Sequence, residues 1–272
     1  MSANAIPTAT HGSDTITRAS TFLSSSIGRK VVMALTGLVL FGYVVVHMLG
    51  NLQIYLGPEA LNAYAVKLRE MPALLWGVRG LLLVSVVLHV WAAVSLTRTN
   101  MAARGIGYRE QRHRESTYAS RTMRWSGVIL LLFIVYHLLH LTLGTVHPSF
   151  VSGDVYHNVV SGFRAGITPF FYILAMLALG LHMYHGVWSL MQTVGLSHPR
   201  YDRLRYAFAA FVTAMVVLGN ISFPVAVMTG LLREPSSRSM ATKEPPAARA
   251  AGFTSDASAG VSGGAPQHPL TH

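Results

Sequence analysis

Five long apolar stretches limit what this chain can fold into. Each is long enough to cross a bilayer as an α-helix, which takes about 20 residues. The stretches cover about residues 31–56, 73–97, 125–146, 168–194 and 206–231. Because lipid offers backbone groups no hydrogen-bond partner, these stretches predict helices that satisfy their own backbone. We therefore predict an all-α fold, an integral membrane bundle of five transmembrane helices.

Composition and charge agree with a membrane protein. Hydrophobic residues make up 51% of the chain and charged residues only 11%, whereas a soluble domain carries about a quarter charged residues. The net charge of +11 is concentrated, with seven of the 21 basic residues between Arg98 and Arg124. Such a cluster between two spans is typical of a cytoplasmic loop, so we expect no nucleic-acid partner. The absence of cysteine excludes disulfides and thiolate ligation of a metal.

The distribution of charge between the loops predicts the orientation. Three regions are basic: the N-terminal residues that include Arg18, Arg29 and Lys30, the Arg98–Arg124 loop and the Arg200–Arg205 loop. The 57–72 and 147–167 loops each balance to zero. Positive residues stay inside, so the N-terminus is expected in the cytoplasm and, after five crossings, the C-terminus outside.

The predicted organisation has three parts. Residues 1–28 form a polar cytoplasmic N-terminal segment, and residues 29–232 form the five-helix transmembrane domain. Residues 233–272 are rich in Ala, Pro, Ser and Gly and are predicted to be a disordered tail. The sequence alone shows no convincing internal repeat.

Histidines in four of the spans are the candidate functional residues. His47, His89, His137 and His182 each lie in the half of a span nearer its C-terminal end. An imidazole at membrane depth is costly without a partner, which makes each one a candidate for function. Alternating helix directions put His47 and His137 in the outer half and His89 and His182 in the inner half. This depth match predicts two metal centres, each between two imidazoles.

Several alternatives stay open at this point. His140 and His185 follow one turn after His137 and His182, and depth accepts them equally well, although only one residue of each pair faces a given metal. The histidines could instead pack in a structural anchor or couple protons in a transporter. His147 and His157 fall in an outer loop, where surface placement is expected and a role in proton handling is the alternative. Glycines near the histidines leave room for a flat cofactor or for helix packing: Gly37, Gly42, Gly50, Gly127, Gly180 and Gly186.

The chain resembles the single-chain, five-helix branch of the di-haem cytochrome b anchor subunits of succinate:quinone oxidoreductases. The stretches that carry the resemblance are ALTGLVLFGYVVVHMLGN, LLLVSVVLHVW, RWSGVILLLFIVYHLLH and GLHMYHGVWSL. In the family, a Gly follows the ligand of the fourth helix by four residues, as Gly186 follows His182. An Arg precedes the third-helix ligand by thirteen residues, as Arg124 precedes His137.

The resemblance, which covers roughly residues 25–230, implies ligands and cofactors. It favours His137 over His140 and His182 over His185, and leaves His140 and His185 as candidates for contacts around the ligands. Two haem b groups are implied, an outer one held by His47 and His137 and an inner one held by His89 and His182. No buried carboxylate of the kind that some fumarate-reducing relatives use is matched here; Glu59 and Glu70 are expected to be surface charges.

The resemblance also implies an activity and partners. The chain would anchor a flavoprotein subunit and an iron–sulfur subunit to the cytoplasmic face of a bacterial inner membrane, with contacts to lipid and with higher oligomers possible. It would carry electrons to or from menaquinone or ubiquinone, with no dicarboxylate chemistry of its own. The nearest alternative is the b-type haem subunit of another quinone-linked respiratory enzyme.

Overall fold

The computed structural model describes residues 21–22, 24–102, 118–196 and 198–235. Within these ranges the chain forms α-helices and no strand, which confirms the all-α prediction. The helices of ten or more residues are α1 (Ser26–Asn51), α2 (Pro58–Arg69), α3 (Pro72–Ala102), α4 (Tyr118–His137), α5 (Val155–Arg164), α6 (Thr168–Thr193) and α7 (Asp202–Met228). The predictions for the N-terminal segment, the middle of the 98–124 loop and the C-terminal tail fall largely outside the described ranges.

Five helical segments are long and apolar enough to cross a membrane. They are Ser26–Leu56, Pro72–Ala102, Thr122–Thr142, Thr168–Thr193 and Pro199–Met228. Large apolar side chains are exposed along them, for example Leu83, Leu132 and Phe211, as expected for surfaces that face lipid tails. The five predicted spans are confirmed, while the orientation of the termini stays a prediction.

Several predicted boundaries differ from the structure by a few residues: the first span begins earlier, at Ser26, and the second ends later, at Ala102. Two other differences have a local reason. The third span was expected to reach residue 146, but its helix ends in a turn of π-helix at Leu138–Thr142. Gly144 follows with φ of 73°, a left-handed conformation that ends a helix. The last helix starts earlier than residue 206, because Asp202 places a carboxylate in its first turn, where it favours the helix dipole and pairs with Arg205.

The two loops with balanced charge contain short helices. α2 begins at Pro58, a favoured first position, and α5 is capped by Asp154, whose carboxylate accepts from the His157 backbone N–H at 2.9 Å. Asn62 of α2 joins them, since its amide nitrogen donates to Asp154 at 2.9 Å and its amide oxygen accepts from the Tyr156 backbone at 3.0 Å. We call the end of the bundle that carries α2 and α5 the capped end.

The larger of two buried apolar clusters lies at the capped end. It joins α2 and α5 to the ends of the long helices through Ile54, Leu61, Tyr156, Val160, Phe163, Tyr172, Phe223, Ala226, Val227 and Leu232. A smaller cluster of Met48, Met183 and Val216 holds α1, α6 and α7 together deeper in the bundle. α1 packs mainly against α3, α4 against α6, and α6 against α7.

Candidate functional site

The structure brings the four candidate histidines together as two pairs. His47 on α1 faces His137 on α4, with ring centroids 5.9 Å apart. His89 on α3 faces His182 on α6, with ring centroids 6.2 Å apart. The first pair lies nearer the capped end and the second nearer the opposite end, so the pairs match those expected from depth. Whether these residues bind metal stays a prediction.

The spacing within each pair fits a shared metal ion. An imidazole nitrogen binds a first-row metal at about 2.0–2.1 Å and lies about 1 Å from its ring centroid. Two imidazoles on opposite sides of one metal therefore have centroids about 6 Å apart. The observed 5.9 and 6.2 Å agree with that value.

Hydroxyl groups of Thr36 and Ser126 contact Nδ1 of His89 and His182 and indicate which ring nitrogen carries the proton. The Thr36 hydroxyl donates to the Val32 carbonyl at 2.7 Å and lies 3.1 Å from Nδ1 of His89. A hydroxyl has a single hydrogen, and we assign it to the shorter contact with the Val32 carbonyl. The oxygen then accepts from His89, whose proton we place on Nδ1. Nε2 is then unprotonated and has no hydrogen-bond partner among the described residues, which leaves a lone pair free for a metal.

Ser126 holds His182 in the same way. Its hydroxyl donates to the Met123 carbonyl at 3.0 Å and lies 3.3 Å from Nδ1 of His182. The proton of His182 is again on Nδ1. Metal-bound histidines commonly donate their other ring N–H to an oxygen acceptor, which fixes the tautomer and the ring orientation.

In the His47–His137 pair, tyrosine hydroxyls contact Nδ1 of the histidines. The Tyr172 hydroxyl lies 2.9 Å from Nδ1 of His140 and 3.4 Å from Nδ1 of His137. We assign the donated bond to the shorter contact, so Tyr172 accepts from His137. The Tyr43 hydroxyl lies 3.5 Å from Nδ1 of His47.

Asn51 forms a hydrogen bond with Nε2 of His47, the nitrogen that would bind a metal. Its amide nitrogen lies 3.2 Å from Nε2 of that ring, and an amide nitrogen can only donate. Nε2 of His47 is therefore unprotonated, as a metal ligand must be. The Asn51 side chain has to rotate away before a metal can bind there.

Two of the glycines noted in the sequence lie directly against the histidines. A Cβ on Gly37 would lie 3.3 Å from Cε1 of His89, and a Cβ on Gly127 would lie 3.7 Å from Cε1 of His182. Gly42 and Gly186 border open space. Gly50 and Gly180 serve helix packing instead, because added Cβ atoms would meet Tyr64 and Val217.

His140 belongs to a buried cluster at the capped end rather than to either pair. Its ring is 1% exposed and stacks between Tyr136, at 5.4 Å, and His147, at 4.8 Å. The π turn widens the helix at this point, a feature often found at functional sites. A Cβ on Gly162 would lie 2.8 Å from Cε1 of His140, so only glycine allows α5 to approach so closely.

The expected surface placement of His147 is wrong. The ring is 7% exposed, because Nε2 donates to the Asn158 carbonyl at 2.8 Å and Nδ1 accepts from the Ser149 backbone at 3.1 Å. These two bonds bury an imidazole without an unpaired nitrogen. His157 is half-buried, and its Nε2 donates to the Ser149 carbonyl at 2.9 Å.

His185, three residues after His182, contacts a tryptophan of the same helix. Its ring lies 5.7 Å from Trp188, which stacks on Tyr206 of α7 at 5.5 Å. Nδ1 of His185 is buried without a hydrogen-bond partner in the described part of the chain. The ring therefore contributes to the contact between α6 and α7.

Neither pair is a complete metal site by itself. Across the described ranges no group of three or more His, Asp or Glu side chains could hold a metal ion. Glu59 and Glu70 are exposed at the ends of α2, as expected of surface charges. A metal between either pair would need its remaining ligands from a cofactor, and a planar macrocycle supplies four such ligands between two axial imidazoles.

A separate groove of about 620 Å³ runs along α3 and contains none of the paired histidines. Val87, Trp91 and Val94 line its apolar part. Arg29 stands at one end and donates to the hydroxyls of Ser95, at 2.7 Å, and Thr99, at 2.9 Å. These bonds tie the start of α1 to the end of α3.

Comparison with known proteins gives one match. Residues 102–220 match the family model of the succinate dehydrogenase/fumarate reductase transmembrane subunit. The matched range covers less than half of the chain, and includes His137 and His182 but not His47 or His89. Neither curated proteins nor solved structures give a match. The match and the five spans together support a multi-pass membrane protein.

Proposed function

We propose that this chain is the membrane subunit of a succinate:quinone oxidoreductase. In this role it carries electrons between an iron–sulfur subunit and a membrane quinone through two haem b groups. The family match over residues 102–220 supports the enzyme class. The observation that carries the proposal is the pairing of His47 with His137 and of His89 with His182 at the centroid distance of two axial ligands.

The chain's own residues have defined tasks in this proposal. Nε2 of His47 and His137 would hold one haem iron, and Nε2 of His89 and His182 the other. Bound haem supplies one-electron transfer, with a potential tuned by its axial ligands and their hydrogen bonds. The hydroxyls of Thr36, Ser126 and Tyr172 keep the ligand protons on Nδ1. The apolar helices exclude water and lower the dielectric constant around both levels.

The partners follow from the proposed class. A flavoprotein subunit and an iron–sulfur subunit would bind the end opposite the capped end, which the charge asymmetry predicts to face the cytoplasm. The membrane would be the inner membrane of a bacterium. Quinone, menaquinone or ubiquinone, would react near the pair at the capped end. Succinate chemistry would take place on the flavoprotein, and lipid would contact the exposed apolar faces.

A visible spectrum of the purified membrane complex tests the proposal. We expect a dithionite-reduced spectrum of b type that accounts for two haems per chain. Replacing any one of the four paired histidines with Ala should remove one haem. A colourless complex contradicts the proposal and favours a haem-free anchor or transporter.

Matched controls lie one helical turn from two of the ligands. His140→Ala and His185→Ala remove histidines of the same two helices, and both variants should keep two haems. If His140→Ala loses a haem while His137→Ala keeps both, the ligand assignment on α4 is wrong. Co-purification of a flavoprotein with succinate dehydrogenase activity separates this class from other b-type haem subunits.

A further inference from the structure

The two helix pairs that carry the histidines repeat one set of contacts. We call α1 and α3 the first half and α4 and α6 the second half. In each half, the first helix carries a hydroxyl residue and a glycine, then an aromatic residue, then a histidine. The matching residues are Thr36, Gly37, Tyr43 and His47 in α1 and Ser126, Gly127, Phe133 and His137 in α4, at identical spacing.

The repeat extends from spacing to geometry. Tyr43 lies 5.3 Å from the ring of His47, and Phe133 lies 5.7 Å from the ring of His137. The second helix of each half carries His89 or His182. In both rings the hydroxyl of the first helix contacts Nδ1, and the glycine of the first helix lies against Cε1. The spacing is present in the sequence, but the histidine positions alone do not single it out; the contacts of each ring do.

The hydroxyl partners are also alike in their second bond. Each donates its hydrogen to a backbone carbonyl of its own helix, Thr36 to Val32 and Ser126 to Met123. Each side chain is buried, at 7% and 3% exposure. With each hydroxyl hydrogen assigned to the shorter contact, the backbone carbonyl, the oxygen accepts from the imidazole, and the direction is the same in both halves.

We propose that Thr36 and Ser126 are equivalent positioning residues, which hold His89 and His182 in the tautomer and orientation for axial ligation of one haem. This inference rests on the proposed function. Both hydroxyls act on the same level, although each stands on a helix whose own histidine serves the other level. An accepted Nδ1–H bond makes an imidazole a stronger donor to its metal and stabilises the oxidised iron.

The test uses the full complex and variants that remove a hydroxyl without changing shape. Thr36→Val and Ser126→Ala should each weaken haem retention at the His89–His182 level by about 10–100-fold or, where haem is retained, shift its midpoint potential to a more positive value. Thr36→Ser keeps the hydroxyl and should behave as wild type. Thr213→Val is the matched control, because Thr213 is a buried threonine of α7 whose hydroxyl has no partner among the described residues.

Haem content, the low-spin electron paramagnetic resonance signal and the midpoint potential of each haem are the readouts. The His89→Ala variant identifies which signal belongs to this level. A di-haem wild type whose Thr36→Val and Ser126→Ala variants match the Thr213→Val control overturns this inference alone. A wild-type complex without haem overturns the proposed function and this inference with it.

Discussion

Tyr172 shows how one side chain connects the buried clusters at the residue scale. Its hydroxyl stands between Nδ1 of His137 and Nδ1 of His140, and its ring packs on Phe163 of α5 at 4.8 Å. The same residue therefore orients a candidate ligand, bonds Nδ1 of a buried histidine whose Nε2 has no partner among the described residues, and packs against α5. Removing only the hydroxyl separates the first two tasks from the third.

Tyr172→Phe should destabilise the protein and alter the haem at the capped end. The change leaves two buried imidazole nitrogens without a partner, at a cost of about 1–3 kcal/mol. Thermal unfolding in detergent and the haem spectrum measure the two effects. Tyr136→Phe is the control, since Tyr136 contacts His140 through its ring only, and equal melting temperatures for the two variants would contradict the prediction.

At the scale of secondary-structure elements the principal feature is the cap, by which we mean the two short helices α2 and α5. α5 is only ten residues long, yet Tyr156, Val160 and Phe163 are all buried, and Gly162 lets the helix approach His140. Asp154 holds the start of α5 and also binds Asn62 of α2. One carboxylate therefore fixes both short helices over the His47–His137 level.

Asp154→Ala should destabilise α2 and α5 without unfolding the five spans. Loss of an N-cap costs about 0.5–2 kcal/mol, and the bond to Asn62 is lost as well. We expect faster amide exchange in α2 and α5, measured by hydrogen exchange in detergent. We also expect a lower melting temperature, measured by thermal unfolding. Asp154→Asn retains the cap and the amide contact, so it should remain close to wild type; protection of α5 in the Ala variant would refute the assignment.

The elements show what the sequence could predict and why the rest needed a structure. Five spans follow from apolar length alone, and the histidine pairs follow from alternating helix direction. The burial of His147 does not, because it depends on the carbonyl of Asn158, whose position requires α5 to be docked. The π turn at Leu138–Thr142 is likewise invisible in a pattern of apolar residues, and so is the choice of Tyr172 as partner of His137.

At the scale of the whole molecule, the two halves meet through the imidazole pairs and through the packing of Met48 of α1 against Met183 of α6. α1 packs on α3 and α4 on α6, whereas each pair joins one half to the other. α7 and the cap complete the assembly around the second half. The orientation of this assembly in the membrane rests on charge asymmetry and can be tested directly.

The absence of cysteine makes the chain suitable for accessibility labelling. Ser152→Cys lies in the exposed loop at the capped end and Gln192→Cys at the exposed end of α6. A membrane-impermeant maleimide should label Ser152→Cys in intact cells and Gln192→Cys only after lysis, because basic loops stay inside. The reverse pattern would show that the predicted orientation is wrong.

The interleaving of the two pairs along the chain has a consequence for biosynthesis. His47, His89, His137 and His182 leave the ribosome in that order, so neither pair forms between consecutive spans. The level at the capped end is complete once α4 has entered the membrane, while His89 waits without its partner until α6 follows. A cofactor that needs both rings of each level can therefore be fully loaded only after α6 has been made.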